Sequence, residues 1–238
     1  MATPKSAACA APFYDDMWKR YAHLDAASPA AFHRRRVVGE LAAKAAPNAK
    51  RVLDAGCGQG ELLEELAGRL PGAAIEGADV SPRSIADSRA KSPKTPLFLL
   101  DLASPAFEEE QRERLGRYDL VVCSEVLEHI ADDGLAASRL FQLVAEGGCL
   151  IATVPGGRMS RFDVAIGHHR HYRSRDLGRL IEGAGFRVER LLAWGFPFHN
   201  LYRTAVRVAS RAASGASSSA NESGAGGAVP KVLGRAYT

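Results

Sequence analysis

The chain has 238 residues, of which 46% are hydrophobic and 24% charged, with a formal net charge of +4. That length fits one α/β domain with an extension and can bury a sizeable core. The small positive surplus suits anionic cofactors or substrates but gives no strong nucleic-acid signal, and no stretch reaches the roughly 20 apolar residues needed to span a bilayer.

The cysteines Cys9, Cys57, Cys123 and Cys149 show no paired spacing. They read as reduced thiols of a cytoplasmic protein. The opening "MATPKSAACAAPF" lacks the apolar run of a signal peptide. Residues 1–48 form a helical extension or lid, since "FYDDMWKRYAHL" and "AAFHRRRVVGELAAKAA" carry apolar residues at helical spacing and Pro47 ends the second segment. Tyr14, Trp18 and Tyr21 are candidates to close over a site.

Residues 49–210 then alternate short apolar runs with helical stretches. The runs are "RVLDAGC", "AAIEGADV", "PLFLLDL", "YDLVVCSEV" and "GCLIATVP". Buried parallel strands joined by crossover helices give this pattern, so the fold class is a doubly wound, mostly parallel α/β sheet. A polar loop containing "GHHRHYR" follows, then the helix "SRDLGRLIEGAG" and the strand "FRVERLLAWG". Phe196, Phe198 and Tyr202 are candidates for an apolar substrate wall or for core. Residues 211–238 read as a flexible linker and tail, with the last ten residues open between an edge strand and a tail.

"VLDAGCGQGELLEEL" places Gly56, Gly58 and Gly60 in a tight turn between a strand and a helix. Glycines there let a ligand approach the backbone. The spacing is G-x-G-x-G, an acid (Asp54) precedes the turn, and Glu61 opens the helix. That negative charge repels a pyrophosphate but suits a cationic sulfonium and amino group. Asp79 falls at the second strand's end, where an acid accepts from ribose hydroxyls. Asp101, at the third strand's end, can accept from an adenine amino group.

These motifs resemble the class I S-adenosylmethionine-dependent methyltransferases over roughly residues 50–190. "VLDAGCGQG", "ADVSP", "LLDL" and "YDLVVCSEVLEH" match successive family motifs. The resemblance implies a Rossmann-like sheet of seven, or six, strands with S-adenosylmethionine across the strand carboxyl ends. Asp54 and Gly56 would approach the methionine part, Asp79 the ribose, and Asp101 with Leu102 the adenine, with Cys57, Gly58, Gly60, Val80 and Ser124 as further cofactor-binding residues. The family's antiparallel last strand has no clear match in the sequence.

In "SEVLEHIADD", Glu125, Glu128 and His129 stand at i, i+3 and i+4. If a helix starts there they share one face. Carboxylates with imidazole can hold a divalent cation, Mg²⁺ or Mn²⁺ through oxygen, Zn²⁺ or Fe²⁺ through nitrogen. Acids at a helix start are favourable without any metal, by about 0.3–1 kcal/mol. The loop carrying His168, His169 and His171 should overhang the same edge, where it can supply a fourth ligand. The pattern E-x-x-E-H with a later His resembles small-RNA 3′-terminal 2′-O-methyltransferases, where the matching residues hold a metal; the resemblance implies Glu125, Glu128 and His129 as ligands, with His168 the best match for the later His and His169 the second. It also resembles ubiquinone-pathway O-methyltransferases, and the loop with its helix is similar to type-11 methyltransferases.

The resulting expectation is metal-assisted O-methylation of a small molecule with adjacent oxygens, with His169 or His171 taking the proton. The alternatives are a metal-independent O- or N-methyltransferase using His129 or His168 as base, and RNA 2′-O-methylation. The expected partner is the small-molecule substrate, with a homodimer left open.

Overall fold

Strand β4 (Tyr118–Ser124) shows why the apolar runs become strands. Tyr118, Leu120, Val121, Val122 and Cys123 are all fully buried, so side chains pointing to both faces of the sheet are covered. The computed structural model describes residues 10–26, 28–194 and 229–236. Helices α1 (Ala10–Ala26) and α2 (Pro29–Ala45) lead into β1 (Arg51–Ala55), α3 (Glu61–Arg69), β2 (Ala74–Asp79), α4 (Pro82–Lys91) and β3 (Leu97–Leu99). After β3 come α5 (Phe107–Glu110), β4, α6 (Asp133–Leu143), β5 (Val144–Thr153), α7 (Arg161–Ala165), α8 (Ser174–Gly183), β6 (Phe186–Trp194) and β7 (Val229–Ala236). Among the serine caps, Ser28 accepts from the Ala31 amide and Ser81 from the Ser84 amide, each followed by a proline at the first helical position.

The seven strands lie in the order β3-β2-β1-β4-β5-β7-β6. The five from β3 to β5 are parallel, and β7 runs antiparallel to both of its neighbours. Strand order reverses between β1 and β4, where the loops after the two strands part and open a crevice. Helices α2 and α3 cover one face through Val38, Ala42, Leu63 and Leu66. Helices α6 and α8 cover the other through Leu140, Leu143, Leu177 and Ile181. Leu140 has no exposed surface. Leu140→Ala should cost about 2–5 kcal/mol, read as a lower urea midpoint at unchanged slope. No helix among the described residues is long and apolar enough to cross a membrane.

Of the two readings left open for the last residues, the strand holds: residues 229–236 form β7, inserted between β5 and β6 rather than at the edge, and hydrogen-bonded on both sides. This strand satisfies the backbone groups of β5 that a free tail would leave exposed. Within the N-terminal helical extension, α2 packs into the core, while α1 lies over the cavity at the carboxyl edge of the sheet. No α-helix starts at Glu125, since residues Leu127–His129 make one 3-10 turn and α6 begins only after the cap Asp132 accepts from the Leu135 amide. Phe196, Phe198, Tyr202 and the linker up to residue 228 lie outside the described residues, as does the Tyr21 side chain.

Candidate active site

The glycine turn after β1 requires its glycines. Gly56 and Gly60 have φ of 87° and 86°, and a Cβ on Gly56 would meet Val126 Cγ2 at 2.2 Å. Behind the turn, Asp54 is 1% exposed, and neither of its carboxylate oxygens has a hydrogen-bond partner among the described residues. Burial first, then the charges of Asp79 and Glu61, push its carboxyl up to about 8. An unpaired buried acid is costly, and a cation or N–H donor arriving from the crevice satisfies it. Asp79 is better held: its two oxygens accept from the amides of Gly58 and Ser81, each at 2.9 Å. Burial still raises its carboxyl to about 6, against the lowering effect of those amides. Asp101 lies two residues beyond β3 rather than at its end, where its Oδ1 accepts from the Ala103 amide at 2.7 Å and closes a turn.

A cavity of about 300 Å³ lies over this edge. Gly56, Asp79, Val80, Asp101, Leu102, Glu125 and His129 line it, and Tyr14, Met17 and Trp18 of α1 roof it. Asp54, Cys57, Gly58, Gly60 and Ser124 do not line it. The Cys57 thiol is buried in the core, and Ser88 Oγ fills the space beside Gly60. Ser124 is turned sideways, its hydroxyl 2.8 Å from that of Thr153.

Helix α1 is fastened at three points. Asp15 accepts from the Ser81 hydroxyl and from the Arg83 amide. The Trp18 ring lies so close to Gly58 that a Cβ there would meet it at 2.8 Å. The Tyr14 hydroxyl donates to the His129 carbonyl at 3.2 Å. The roof therefore touches both the glycine turn and the polar turn after β4.

That polar turn brings three of the four candidate metal ligands together. Donor atoms of Glu128, His129 and His168 lie within 4.8 Å of one another. Glu128 has no exposed surface, and neither of its oxygens has a hydrogen-bond partner among the described residues. Burial and then the charge of Glu125 hold its carboxyl well above the usual carboxylate range. Burial brings His129 down to about 3 and His168 down to about 4, so both imidazoles are neutral at pH 7 and can offer a lone pair.

Glu125 stands apart from this group. It adopts φ of 60°, the one non-glycine residue with positive φ among those described. Its amide donates to the Thr153 carbonyl at 2.8 Å. The Thr153 hydroxyl donates to its Oε1 at 2.9 Å, and Arg34 lies 3.7 Å from its Oε2. The left-handed turn aims it at β5 and α2, which is why helical spacing misplaces it.

The histidine loop overhangs the edge as expected. The His169 amide donates to the Glu128 carbonyl at 2.7 Å, and Arg170 pairs with Asp133 at 2.7 Å. Tyr172 donates to Asp133 at 2.7 Å. His171 is not over the cavity: it packs between His168, whose Nδ1 is 3.0 Å from its Nε2, and Asp163, 3.8 Å from the same Nε2. Of the four histidines with an expected catalytic role, only His129 lines the cavity. Asp163, Thr153 and Arg34 were not legible as neighbours of the site. Only Asp163 left a trace, the capping pattern with Ser160 that starts α7.

Fold and site together define a Rossmann-like enzyme that holds a nucleoside cofactor at the switch point between β1 and β4. A family model for a methyltransferase domain matches residues 30–191, and the chain belongs to that class I S-adenosylmethionine-dependent family. The match begins inside α2, in keeping with the packing of that helix in the core. A trans-aconitate 2-methyltransferase of Variovorax paradoxus is 34% identical over 126 residues, 52% of this chain and 46% of the relative. A ubiquinone biosynthesis O-methyltransferase of Chromobacterium violaceum is 28% identical over 169 residues, 64% of this chain and 72% of the relative. The chain thus spans about half the length of the first of these relatives. A solved 1,6-didemethyltoxoflavin-N1-methyltransferase of Burkholderia thailandensis, with bound S-adenosylhomocysteine, superposes with a TM-score of 0.64 at 15% identity, covering 96% of this chain and 89% of that one.

The residues fit S-adenosylmethionine: Asp54 waits unpaired behind a turn that side chains would block. One pH effect follows. In the folded, cofactor-free protein the Asp54 carboxyl is raised, so the native state binds its proton more tightly than the unfolded chain. The stability this gives is present at low pH and is lost as pH rises toward about 8. The neutral histidines act in the opposite sense, but only below their unfolded value of about 6.5. Between about pH 6.5 and 8 the melting temperature should fall, and Asp54→Asn should flatten that fall.

Proposed function

We propose that this chain is a divalent-metal-assisted O-methyltransferase acting on a small molecule with adjacent oxygens. The observation that carries the reading is the group Glu128, His129 and His168, within 4.8 Å of one another beside the cofactor cavity, with both Glu128 oxygens unpartnered among the described residues. A buried acid in that state either keeps its proton or is met by a cation. One carboxylate with two neutral imidazoles suits Mn²⁺, Fe²⁺ or Zn²⁺ and leaves positions open for substrate oxygens. The relative named for O-methylation in ubiquinone biosynthesis supports oxygen as the acceptor.

When bound, S-adenosylmethionine supplies an electrophilic methyl group, and a divalent ion lowers the pKa of a hydroxyl it touches. Asp54, buried behind the glycine turn, would set a negative charge near the cationic methionine end. Asp79 accepts from ribose hydroxyls with its remaining lone pairs, and Asp101 from the adenine amino group. Tyr14, Met17 and Trp18 roof the cavity and exclude water, while Val126, Ile130 and Leu135 give the substrate an apolar wall. Glu128, His129 and His168 would hold the ion, which would position the acceptor oxygen against the methyl group. Thr153 restrains Glu125 at the cavity rim.

The test is O-methyl product formation with a catechol and an unsaturated tricarboxylate as alternative acceptors. With the better acceptor, EDTA dialysis should cut turnover at least about 100-fold, and added Mn²⁺ or Co²⁺ should restore it. Full turnover in EDTA contradicts the metal and leaves His129 to act as a base alone.

A further inference from the structure

We infer that His171 is a positioning residue: it fixes the tautomer and the ring plane of His168, so that His168 presents Nε2 to an ion held with Glu128 and His129. This rests on the metal reading above. His168 Nδ1 and His171 Nε2 are 3.0 Å apart, a hydrogen-bond distance that holds a single proton. If that proton sits on His168, its Nε2 carries the lone pair, and His171 is the acceptor that keeps it so. A ligating histidine needs such an acceptor on its other nitrogen, which sets both tautomer and orientation.

The surroundings leave His171 little freedom. Its side chain is 2% exposed. The next residue, Tyr172, is fastened by its amide to the Pro155 carbonyl and by its hydroxyl to Asp133 and the Leu127 carbonyl. On the other side Asp163, itself 7% exposed, lies 3.8 Å from His171 Nε2. Asp163 is fixed by the cap of α7, its Oδ2 accepting from the Ser160 amide at 2.6 Å. The His168 amide donates to the Asp163 carbonyl at 3.0 Å, so ligand and support share one short loop.

Asp163, His168 and His171 also lie close enough to form an ion site of their own. The two groups share His168. In the second, Asp163 Oδ2 already accepts from Ser160, and the two imidazoles already bond each other, so an ion between those two nitrogens would cost the bond that joins them. The group with Glu128 needs no contact broken at its carboxylate. His171 is therefore assigned to support rather than to ligation.

The experiment is Co²⁺ titration of the metal-free full chain, read by visible absorption, for wild type, Glu128→Gln, His171→Ala and His171→Gln. S-adenosylhomocysteine binding by calorimetry checks that each variant is folded. His171→Ala should weaken Co²⁺ binding about 10- to 100-fold and alter the spectrum. His171→Gln, whose amide oxygen can accept near the position of Nε2, should stay within about threefold of wild type. Wild-type affinity in His171→Ala overturns the inference while the metal reading stands. Loss in His171→Gln as deep as in His171→Ala overturns it too, since the acceptor would not be what matters. If His171→Ala no longer binds S-adenosylhomocysteine, His171→Asn takes its place under the same criteria. No Co²⁺ binding by the wild type, with Glu128→Gln indistinguishable from it, overturns the metal reading and this inference together.

Discussion

Glu128→Gln lowers methyl transfer by about 100- to 1,000-fold, yet the cofactor-free protein melts no lower than wild type. The first half follows from the several kcal/mol that a Lewis acid contributes at a developing alkoxide, with a factor of ten for each ~1.4 kcal/mol. An amide of the same shape cannot supply the anionic ligand. The second half follows from the native state. Glu128 is fully buried, its oxygens lack partners among the described residues, and Glu125 raises its carboxyl further. Burial and Glu125 outweigh the backbone hydrogen bond and the Arg34 charge that favour the carboxylate, so glutamine forfeits little stability. Steady-state kinetics with added Mn²⁺, beside differential scanning calorimetry, checks both halves. A variant that melts well below wild type would mean the carboxylate has a structural partner, and unaltered kinetics would remove it from the chemistry.

Asp79→Ala weakens S-adenosylhomocysteine binding by about 100-fold or more and also lowers the melting temperature. Two effects combine. The carboxylate holds the Gly58 and Ser81 amides at 2.9 Å each and so ties the glycine turn to the start of α4. Removing it orphans two buried donors, at about 1–3 kcal/mol each, and loosens the glycine turn. It also deletes the acceptor expected for the ribose hydroxyls, a charge-assisted contact of about 1.5–3 kcal/mol. Asp79→Asn keeps one acceptor oxygen and should fall between. Calorimetric titration at fixed pH separates the effects, since a lower melting temperature with unchanged affinity would leave Asp79 a purely structural role.

The sheet was legible because buried parallel strands need continuous apolar runs, and "YDLVVCS" or "CLIAT" read as little else. The glycine turn was legible because its residues are consecutive. β7 was legible only as one of two alternatives and not in its interior place, because eight residues with a glycine and a proline follow a long polar linker, and it is pairing with β5 and β6 that makes them a strand. The same distinction runs through the site. Glu128 and His129 share one short turn, so their proximity follows from the sequence. Glu125 was misplaced because spacing assumes a helix, whereas its φ of 60° turns it toward Thr153. Thr153, Arg34 and Asp163 come from three other elements, and only the fold brings them near. His171 belonged visibly to a histidine loop, but whether it faces the cavity or supports a neighbour depends on which way that loop is tied down.

Anomalous diffraction at the cobalt edge, from crystals grown with S-adenosylhomocysteine and soaked in Co²⁺, tests the central claim most directly. The account predicts one strong peak bounded by Glu128, His129 and His168, beside the sulfur of the cofactor product. No peak there at saturating cobalt, or a peak only between Asp163 and His171, would contradict it.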